Sequence, residues 1–289
     1  MRPPRLRSAG AFTLPEILIT IGITTLVGMM IFLVLNTAMI LYAKNTAVNS
    51  AHQQARTGVE EMLINLHNAV SIPQLTDASL QPVAELDSSG QPISASGISF
   101  QIFNDGPFPV ILDASATDTS IVLYCPGFTP PAKMRLNIPS HNIELDVVSS
   151  TSAGSYRQFN FASPIRTAID VDQSGIEGAS GVNYVITAFF TTRLSYSAVR
   201  TSSSSAPYLG ELRYYPTNDL AAYKVITRNL VSGTPFSIPI QSSGGLQNRY
   251  VAAVNLSTVE PNFTQRGYAA VNMFISSMIP FRCRLTTLQ

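Results

Sequence analysis

Few side chains in this sequence are of the types that carry out catalysis. Of the three histidines, His52 and His67 lie fifteen residues apart in a segment with a helical pattern. Four helical turns place them about 22 Å apart, so they cannot share a ligand. His141 lies in the stretch PSHNIE, and no GxSxG, HExxH, Walker or dinucleotide-binding glycine motif occurs. We therefore expect neither enzymatic activity nor a cofactor.

The stretch DVDQSGIE resembles the first half of a calcium-binding loop. Asp170, Asp172 and Ser174 place oxygen atoms at alternate positions, and Gly175 stands at the sixth. The twelfth position, which such a loop fills with a bidentate glutamate, is Gly181. Two interpretations stay open, a weak calcium site and a polar turn between strands.

The two cysteines, Cys125 and Cys283, are far apart and form neither a CxxC motif nor a zinc spacing. In an oxidising compartment we expect a long-range disulfide that ties the C-terminal end of the chain to the strand near Cys125. The alternative is two buried free thiols, because cysteine also serves as a small core residue.

Glu16 is the remaining candidate functional residue, because it is a charged residue that directly precedes a long apolar segment. From residue 17 to residue 43 the only ionisable group is the phenol of Tyr42. About 20 residues suffice to cross a bilayer, whereas a cleaved secretory signal has an apolar region of about 7–15 residues. The sequence therefore predicts a membrane-spanning helix. The arginines of the first seven residues predict a cytoplasmic N-terminus and an exported C-terminal part.

An acid inside the hydrocarbon layer costs about 2.5–3.5 kcal/mol and is retained mainly where it has a partner. The position of Glu16 therefore has two possible interpretations. It lies in the headgroup layer as a first-turn acid favoured by the helix dipole, or it pairs with a charge from another chain.

Beyond residue 43 the apolar residues recur at steps of three and four, which is typical of one helix face packed on a domain. They are Val48, Ala51, Ala55, Val59, Met62, Leu66 and Val70. Pro15 fits a first helical turn, and the next proline is Pro73. The sequence predicts one helix over residues 15–70, about 84 Å long.

After Pro73 the sequence becomes a series of short β-type runs separated by Gly, Pro, Ser and Asn. The predicted strands are 98–103, 120–125, 134–138, 143–148, 158–162, 182–196, 211–215, 223–228, 250–256 and 269–278. We expect an α+β fold in which an antiparallel sheet packs on the outer half of the helix. Segments 76–97 and 201–207 are predicted as exposed loops, and no internal repeat is expected.

The composition gives no overall charge that would attract nucleic acid or acidic substrates. The net charge is +1, and charged residues are only 12% of the 289 residues, against roughly 25% in a typical soluble domain. The sequence lacks the excess of basic residues that is typical of nucleic-acid-binding proteins. Its polar, weakly charged character is typical of an extracytoplasmic, β-rich surface.

The stretch from Phe12 to Glu16, FTLPE, resembles the signature of type IV prepilins, in which a short basic leader precedes F-T-L-x-E and a long apolar helix. The resemblance implies that prepilin peptidase cuts between Ala11 and Phe12 and methylates the new amine of Phe12. Thr13, Leu14 and Pro15 complete the signature, and Glu16 at the fifth mature position pairs with the N-terminus of a neighbouring subunit.

This sequence departs from the family pattern at two points. Ala11 holds the position that is usually glycine, while Gly10 precedes it. A cut after Gly10 would move Glu16 to the sixth mature position, so we favour the cut after Ala11. No proline occurs between Pro15 and Pro73, although major pilins often carry one in mid-helix.

The resemblance implies four segments. They are a leader (1–11), a membrane half of the helix (12–43), an amphipathic half (44–72) and a β-rich periplasmic head domain (73–289). The segment QQARTGVEEMLINLHNA resembles the helix continuation of minor pseudopilins of the J type and of minor type IV pilins.

We accordingly expect a minor subunit that helps to initiate or cap a type II secretion pseudopilus or a type IV pilus. Its expected partners are other pilin or pseudopilin subunits, prepilin peptidase and the inner-membrane assembly platform. Its expected location is the bacterial inner membrane and then the filament. The alternatives are a structural or adhesive filament subunit whose head binds surfaces or DNA, and a permanently anchored periplasmic domain that never polymerises.

Overall fold

The computed structural model describes residues 13–131, 133–171, 186–204, 207–239, 241–243, 246–248, 251–260 and 272–280. The α-helix α1 spans Leu14–His67, and a short 3₁₀ helix spans Pro139–His141. The strands are β1 (Gln74–Thr76), β2 (Ser94–Ala95), β3 (Gly97–Pro109), β4 (Ser120–Tyr124), β5 (Met134–Ile138), β6 (Ile143–Ala153), β7 (Tyr156–Phe161), β8 (Thr187–Arg200), β9 (Gly210–Tyr215), β10 (Lys224–Leu230), β11 (Phe236–Ser237), β12 (Gln241–Ser243), β13 (Leu246–Asn248), β14 (Val251–Val259) and β15 (Asn272–Pro280).

The single long helix predicted from the hydrophobic pattern is confirmed, within one residue at its start and three at its end. Its C-terminal half buries one face against the sheet, because small and apolar residues recur there at steps of three and four. The buried residues are Ala47, Ala51, Ala55, Gly58, Val59, Met62 and Leu66.

The strands form an antiparallel sheet, so the predicted α+β fold is confirmed. Its order is β2-β11-β14-β10-β9-β8-β5-β6-β7-β4, with β3 beside both β1 and β8, and β15 beside β14. Strand β8 is the central element. One edge pairs with β3 along most of its length, while the other edge pairs first with β5 and then with β9.

This arrangement divides the described head into two hydrophobic cores. The helix-proximal core joins α1 to the C-terminal half of β8 and to β9, β10 and β14. The distal core contains no helix residue and is built from β4 to β7 with the remaining halves of β3 and β8. Inward-facing residues alternate along β8, with Ala188 and Phe190 in the distal core and Leu194 and Tyr196 in the proximal one.

The distal strands close into a six-stranded barrel in the order β3-β8-β5-β6-β7-β4. The barrel closes where Val110, just after β3, bridges to Leu123 of β4, and Ile111 N donates to the Val122 carbonyl at 3.1 Å. Closure covers most of the edges that an open sheet would leave exposed. Phe190 lies at the centre, with its ring centroid 4.8 Å from that of Phe159.

All ten predicted strands have counterparts in the structure, whereas the five shortest strands, β1, β2, β11, β12 and β13, were not predicted. Runs of two or three residues carry too little alternation to detect. Strand β3 extends six residues beyond the predicted 98–103, because its pairing with β8 holds the polar stretch that follows in the sheet.

Segment 76–97 is largely exposed and rich in turns, as predicted, with two differences from the expectation. The hexapeptides DASLQP and DSSGQP, at 77–82 and 87–92, are copies of one turn. In each copy the aspartate carboxylate accepts main-chain N–H groups of the third and fifth residues at 2.8–2.9 Å. The fourth residue, Leu80 or Gly90, has a φ of 62° or 78°. Leu80 is nevertheless buried, so this segment is not simply an exposed loop.

Candidate functional site

The start of α1 is a capped helix terminus built from the predicted signature residues. Thr13 is the N-cap, and Leu14 and Pro15 open the first turn. The Glu16 carboxylate oxygen Oε2 accepts from the backbone nitrogen and from the hydroxyl of Thr13, both at 3.4 Å, and Glu16 N donates to the Thr13 carbonyl at 3.0 Å. Within the described part of the chain no cation lies within ion-pair distance of Glu16.

The first half of α1 presents an apolar surface that the rest of the described chain does not cover. Every residue from Leu14 to Met39 is exposed, and an 18-residue window has a mean hydropathy of 2.6 with none of it buried. This helix is long and apolar enough to cross a membrane. An apolar surface of this extent is stable in a lipid bilayer or against other apolar helices.

The threonines of this apolar half are compatible with hydrocarbon, because each hydroxyl donates to the main-chain carbonyl four residues earlier. These are Thr20, Thr24, Thr25 and Thr37, with oxygen–oxygen distances of 2.7–2.8 Å. Glu16 therefore remains the one charged side chain from residue 14 to residue 43. Any charge recognition by this half of the helix must use its carboxylate.

The second half of α1 is fixed to the sheet by side-chain hydroxyls that donate to main-chain carbonyls of the helix. The bonds run from Thr258 Oγ1 to Ala51 O (2.8 Å), from Thr227 Oγ1 to Gln54 O (3.0 Å) and from Tyr196 Oη to Glu61 O (3.5 Å). Such bonds require the helix backbone to lie close to the sheet. The helix accordingly has Ala, Ala and Gly on this face.

Gly58 is the point of closest approach between α1 and the sheet. A Cβ added there would overlap Thr227 Oγ1 and lie 2.9 Å from Leu256 Cδ1. Gly28, in the exposed half of the same helix, would meet nothing within 4 Å. Gly58 is therefore required by packing, although glycine lowers intrinsic helix propensity.

Two further contacts secure the end of the helix. Asn65 Nδ2 donates to the Tyr196 hydroxyl at 2.6 Å, and Lys224 Nζ lies 3.2 Å from Glu61 Oε1. Burial of the Tyr196 ring raises the pKa of its phenol far above the ordinary value, and the bond from Asn65 opposes this shift only in part. The phenol is therefore a neutral structural group at physiological pH.

Several of the predicted site residues fall outside the described residues. These are Ala11 and Phe12 of the cleavage site, Asp172 and Ser174 of the calcium candidate, and Cys283. Asp170, the remaining calcium candidate, directly follows Ile169, which bridges to Ala114 at the rim of the distal barrel. The calcium site therefore stays a hypothesis.

Cys125 is a buried free thiol in the structure, at the end of β4 in the distal core. Burial raises the pKa of this thiol, and the nearby Arg157 lowers it by a smaller amount. The predicted disulfide therefore has no support from the structure, and it stays a prediction because Cys283 is not described.

Metal-binding side chains form no cluster within the described ranges. No group of three or more His, Cys, Asp or Glu side chains there is placed to hold a metal ion. His52 and His67 lie on α1, and His141 ends the 3₁₀ helix beside Ser140, 2.9 Å from its Oγ.

Comparison with protein-family models, with curated proteins and with solved structures gives no match for this chain.

Sequence reasoning missed the residues that hold the head on the helix. Thr227 lies in the predicted strand 223–228, and Thr258 lies two residues beyond the predicted strand 250–256. The partners of both are main-chain atoms, which leave no pattern in the sequence. One signal was present. Ala51, Ala55 and Gly58 recur on the buried face at steps of four and three, and such small residues indicate a close backbone approach.

Proposed function

We propose that the chain is a minor pilin or pseudopilin, a subunit that is cut by prepilin peptidase and joins a type II secretion pseudopilus or a type IV pilus. The observation that carries the proposal is the position of Glu16. It stands in the first turn of a helix whose following 27 residues carry no charge, directly after the signature FTLP. Initiating or capping the filament would be its role.

The electrostatics of Glu16 give the proposal its physical basis. The carboxylate has only two long hydrogen bonds to Thr13, at 3.4 Å, among the described residues. An ionised carboxylate at the lipid boundary gains from a cation of another chain. The methylated amine of Phe12 in a neighbouring subunit would supply that cation, and the charge pair would set the subunit register.

The same proposal accounts for the two halves of α1. The exposed half would lie in the inner membrane before assembly and against other subunit helices afterwards. The half fixed by Thr227 and Thr258 would carry the head to the filament surface. The basic residues of the first segment would keep the N-terminus cytoplasmic and place the head in the periplasm.

Mass spectrometry and N-terminal sequencing of the mature protein from its native host test the processing step. We expect a chain that begins at N-methylated Phe12. A chain that begins at Ala11 would mean cleavage after Gly10, and one that keeps its arginines would contradict the proposal. Ala11→Leu should block cleavage, because the peptidase needs a small residue there, whereas Ala9→Leu is the matched control and should be cut normally.

Incorporation into filaments tests the role of the acid. We expect Glu16→Ala to lower the amount of the protein in sheared filaments at least tenfold, with the membrane level unchanged. Glu60→Ala is the control, because Glu60 is an exposed acid of the same helix, paired with Arg56 at 2.6 Å. Unchanged incorporation of Glu16→Ala would favour a permanently anchored periplasmic domain.

A periplasmic head would also form the disulfide between Cys125 and Cys283. Alkylation of the unreduced, unfolded protein followed by intact mass measurement tests it. No added alkyl group is expected, and two added groups would show that both cysteines are free.

A further inference from the structure

A cleft of about 630 Å³ opens on the wall of the distal barrel, between β6 and the segment that follows β7. On one side it is lined by residues 142–146, and on the other by residues 161–163 and 165–167. Its volume lies in the range of pockets that bind small molecules and short peptides. Neither the helix nor the proximal core contributes to it.

The cleft exists because β7 ends at Phe161, so the first residues of β6 extend beyond the β6–β7 ladder. From Val147 onward β6 pairs with β7, and the ladder ends at the pair of Val147 with Phe161. Within the part of the chain that the structure describes, residues 143–146 pair only with β5. Main-chain groups along a strand point alternately to its two sides, so half of the N–H and C=O groups of 143–146 point into the cleft.

The opposite wall does not satisfy these groups. Its main-chain N–H groups point away from the cleft, since Phe161 N donates to Thr119 O at 2.8 Å and Arg166 N to Ala116 O at 2.9 Å. Between residues 143–146 and residues 162–167, both described in full, no main-chain hydrogen bond is formed. Among the described residues, the cleft therefore exposes a short edge that has no main-chain partner, in an otherwise closed barrel.

The side chains around this edge differ on its two faces. Towards the barrel interior, the floor of the cleft is lined by Ile143, Phe161 and Ile165, whose side chains are nearly buried in the distal core. On the outer face Arg135 lies between two acids of β6, in contact with Glu144 and with its Nε 2.7 Å from Asp146 Oδ1. A strand placed along this edge would meet apolar groups on one face and polar groups on the other.

We propose that this cleft binds an extended segment of a partner polypeptide, which adds a strand to the free edge of β6 at residues 143–146. Main-chain hydrogen bonds supply the affinity in this mode of recognition, and alternate side chains supply specificity. The segment that fits has alternating apolar and uncharged polar residues. Its apolar side chains face the floor, and its polar side chains face the mutually paired Arg135, Glu144 and Asp146.

The proposal does not depend on filament assembly. It concerns the distal barrel, whereas the proposed function rests on the start of α1, so either one can fail without the other. An exposed edge is otherwise a hazard that proteins cover or shorten. Here the edge lies inside a cleft, opposite residues 161–167.

Fluorescence anisotropy with a labelled hexapeptide of alternating valine and threonine tests the proposal, using the full chain in detergent micelles. The control peptide has the same sequence with N-methyl groups on alternate residues, which removes N–H donors and keeps the apolar surface. We expect saturable binding of the first peptide and at least tenfold weaker binding of the second. Equal binding of the two, or no binding of either, would overturn the proposal.

Two variants locate the binding. Ala162→Trp places a large ring in the cleft and should weaken peptide binding at least tenfold, because Ala162 lines its wall. Ala153→Trp is the matched control at the far, exposed end of β6 and should leave binding unchanged. Equal binding by the two variants, with both folded by circular dichroism, would place the peptide elsewhere and contradict the proposal.

Discussion

Asn65 on the helix and Tyr196 at the centre of the sheet share a hydrogen bond of 2.6 Å, with the Asn65 amide as donor. The Tyr196 ring is fully buried, and its hydroxyl also lies 3.5 Å from the carbonyl of Glu61. This pair ties the last turns of α1 to β8, the strand that belongs to both cores. The position of the head on the helix therefore depends on a neutral phenol.

The first prediction concerns alkaline pH. Burial raises the pKa of Tyr196 in the folded protein, so the folded state favours the neutral phenol. The stability that this phenol contributes is therefore complete below its pKa in the unfolded chain. It is lost as the pH rises towards its pKa in the folded protein. We expect the free energy of unfolding to fall above about pH 10. Tyr196→Phe should reduce this slope and cost about 1 kcal/mol at neutral pH.

Denaturant titrations of the chain in detergent at several pH values between about 8 and 11 check this prediction. Burial also raises the pKa of Tyr208, Tyr214 and Tyr215, so part of the slope remains in the variant. The control is Tyr124→Phe, which removes an exposed hydroxyl. An unchanged slope in Tyr196→Phe would show that its phenol is not the group that titrates.

The second prediction compares two glycines of one helix. Gly58→Ala should destabilise the protein by about 1–3 kcal/mol, because the new methyl group meets Thr227 and Leu256. Gly28→Ala should cost nothing, because its surroundings are open and alanine favours the helix. Chemical denaturation of both variants in the same detergent measures the difference. Equal stabilities would mean that the helix does not approach the sheet this closely.

The third prediction isolates one hydroxyl between sheet and helix. Thr258→Val keeps the shape of the side chain but removes the donor to the carbonyl of Ala51, 2.8 Å away, and should cost about 1 kcal/mol. Thr258→Ser keeps the donor and tests the methyl group alone. If valine proves as stable as threonine, the hydroxyl bond contributes nothing to holding the head.

The fourth prediction tests the distal core. Phe190 is fully buried among other rings, so Phe190→Ala should destabilise the head by about 3–5 kcal/mol. Phe103→Ala, at a side chain that is 44% exposed, should change stability by less than about 1 kcal/mol. Thermal unfolding followed by near-ultraviolet circular dichroism compares them. A small effect at Phe190 would contradict the closed barrel.

Local patterns in the sequence predicted the elements well. The helix was predicted because apolar residues first run without interruption and then recur at steps of three and four up to Val70. Its last turn ends earlier, at His67, because Val70 N donates to Gln101 O of β3 at 2.8 Å. The strand runs were predicted from β-branched and aromatic residues, and pairing lengthened several of them.

The pairing of the strands could not be predicted in the same way. Strands β3 and β8 join residues that are between 78 and 100 positions apart, and neither run of residues indicates which strand will be its partner. The division of the sheet into two cores depends on the point along β8 at which its neighbour changes from β5 to β9. The repeated Asp-x-Ser-x-Gln-Pro turn could have been read from the sequence, since both copies show the same residues at the same spacing.

The sequence by itself determined the long apolar helix, its single acid at residue 16 and a β-rich C-terminal part, because these follow from composition and short-range periodicity. The tertiary structure alone decided that the head holds the helix through Thr227, Thr258 and Tyr196, and that β6 keeps a free edge beside a cleft. The physical reason is that these features consist of contacts with main-chain atoms. Every residue carries the same main-chain groups, so the order of side chains does not reveal which of them will meet.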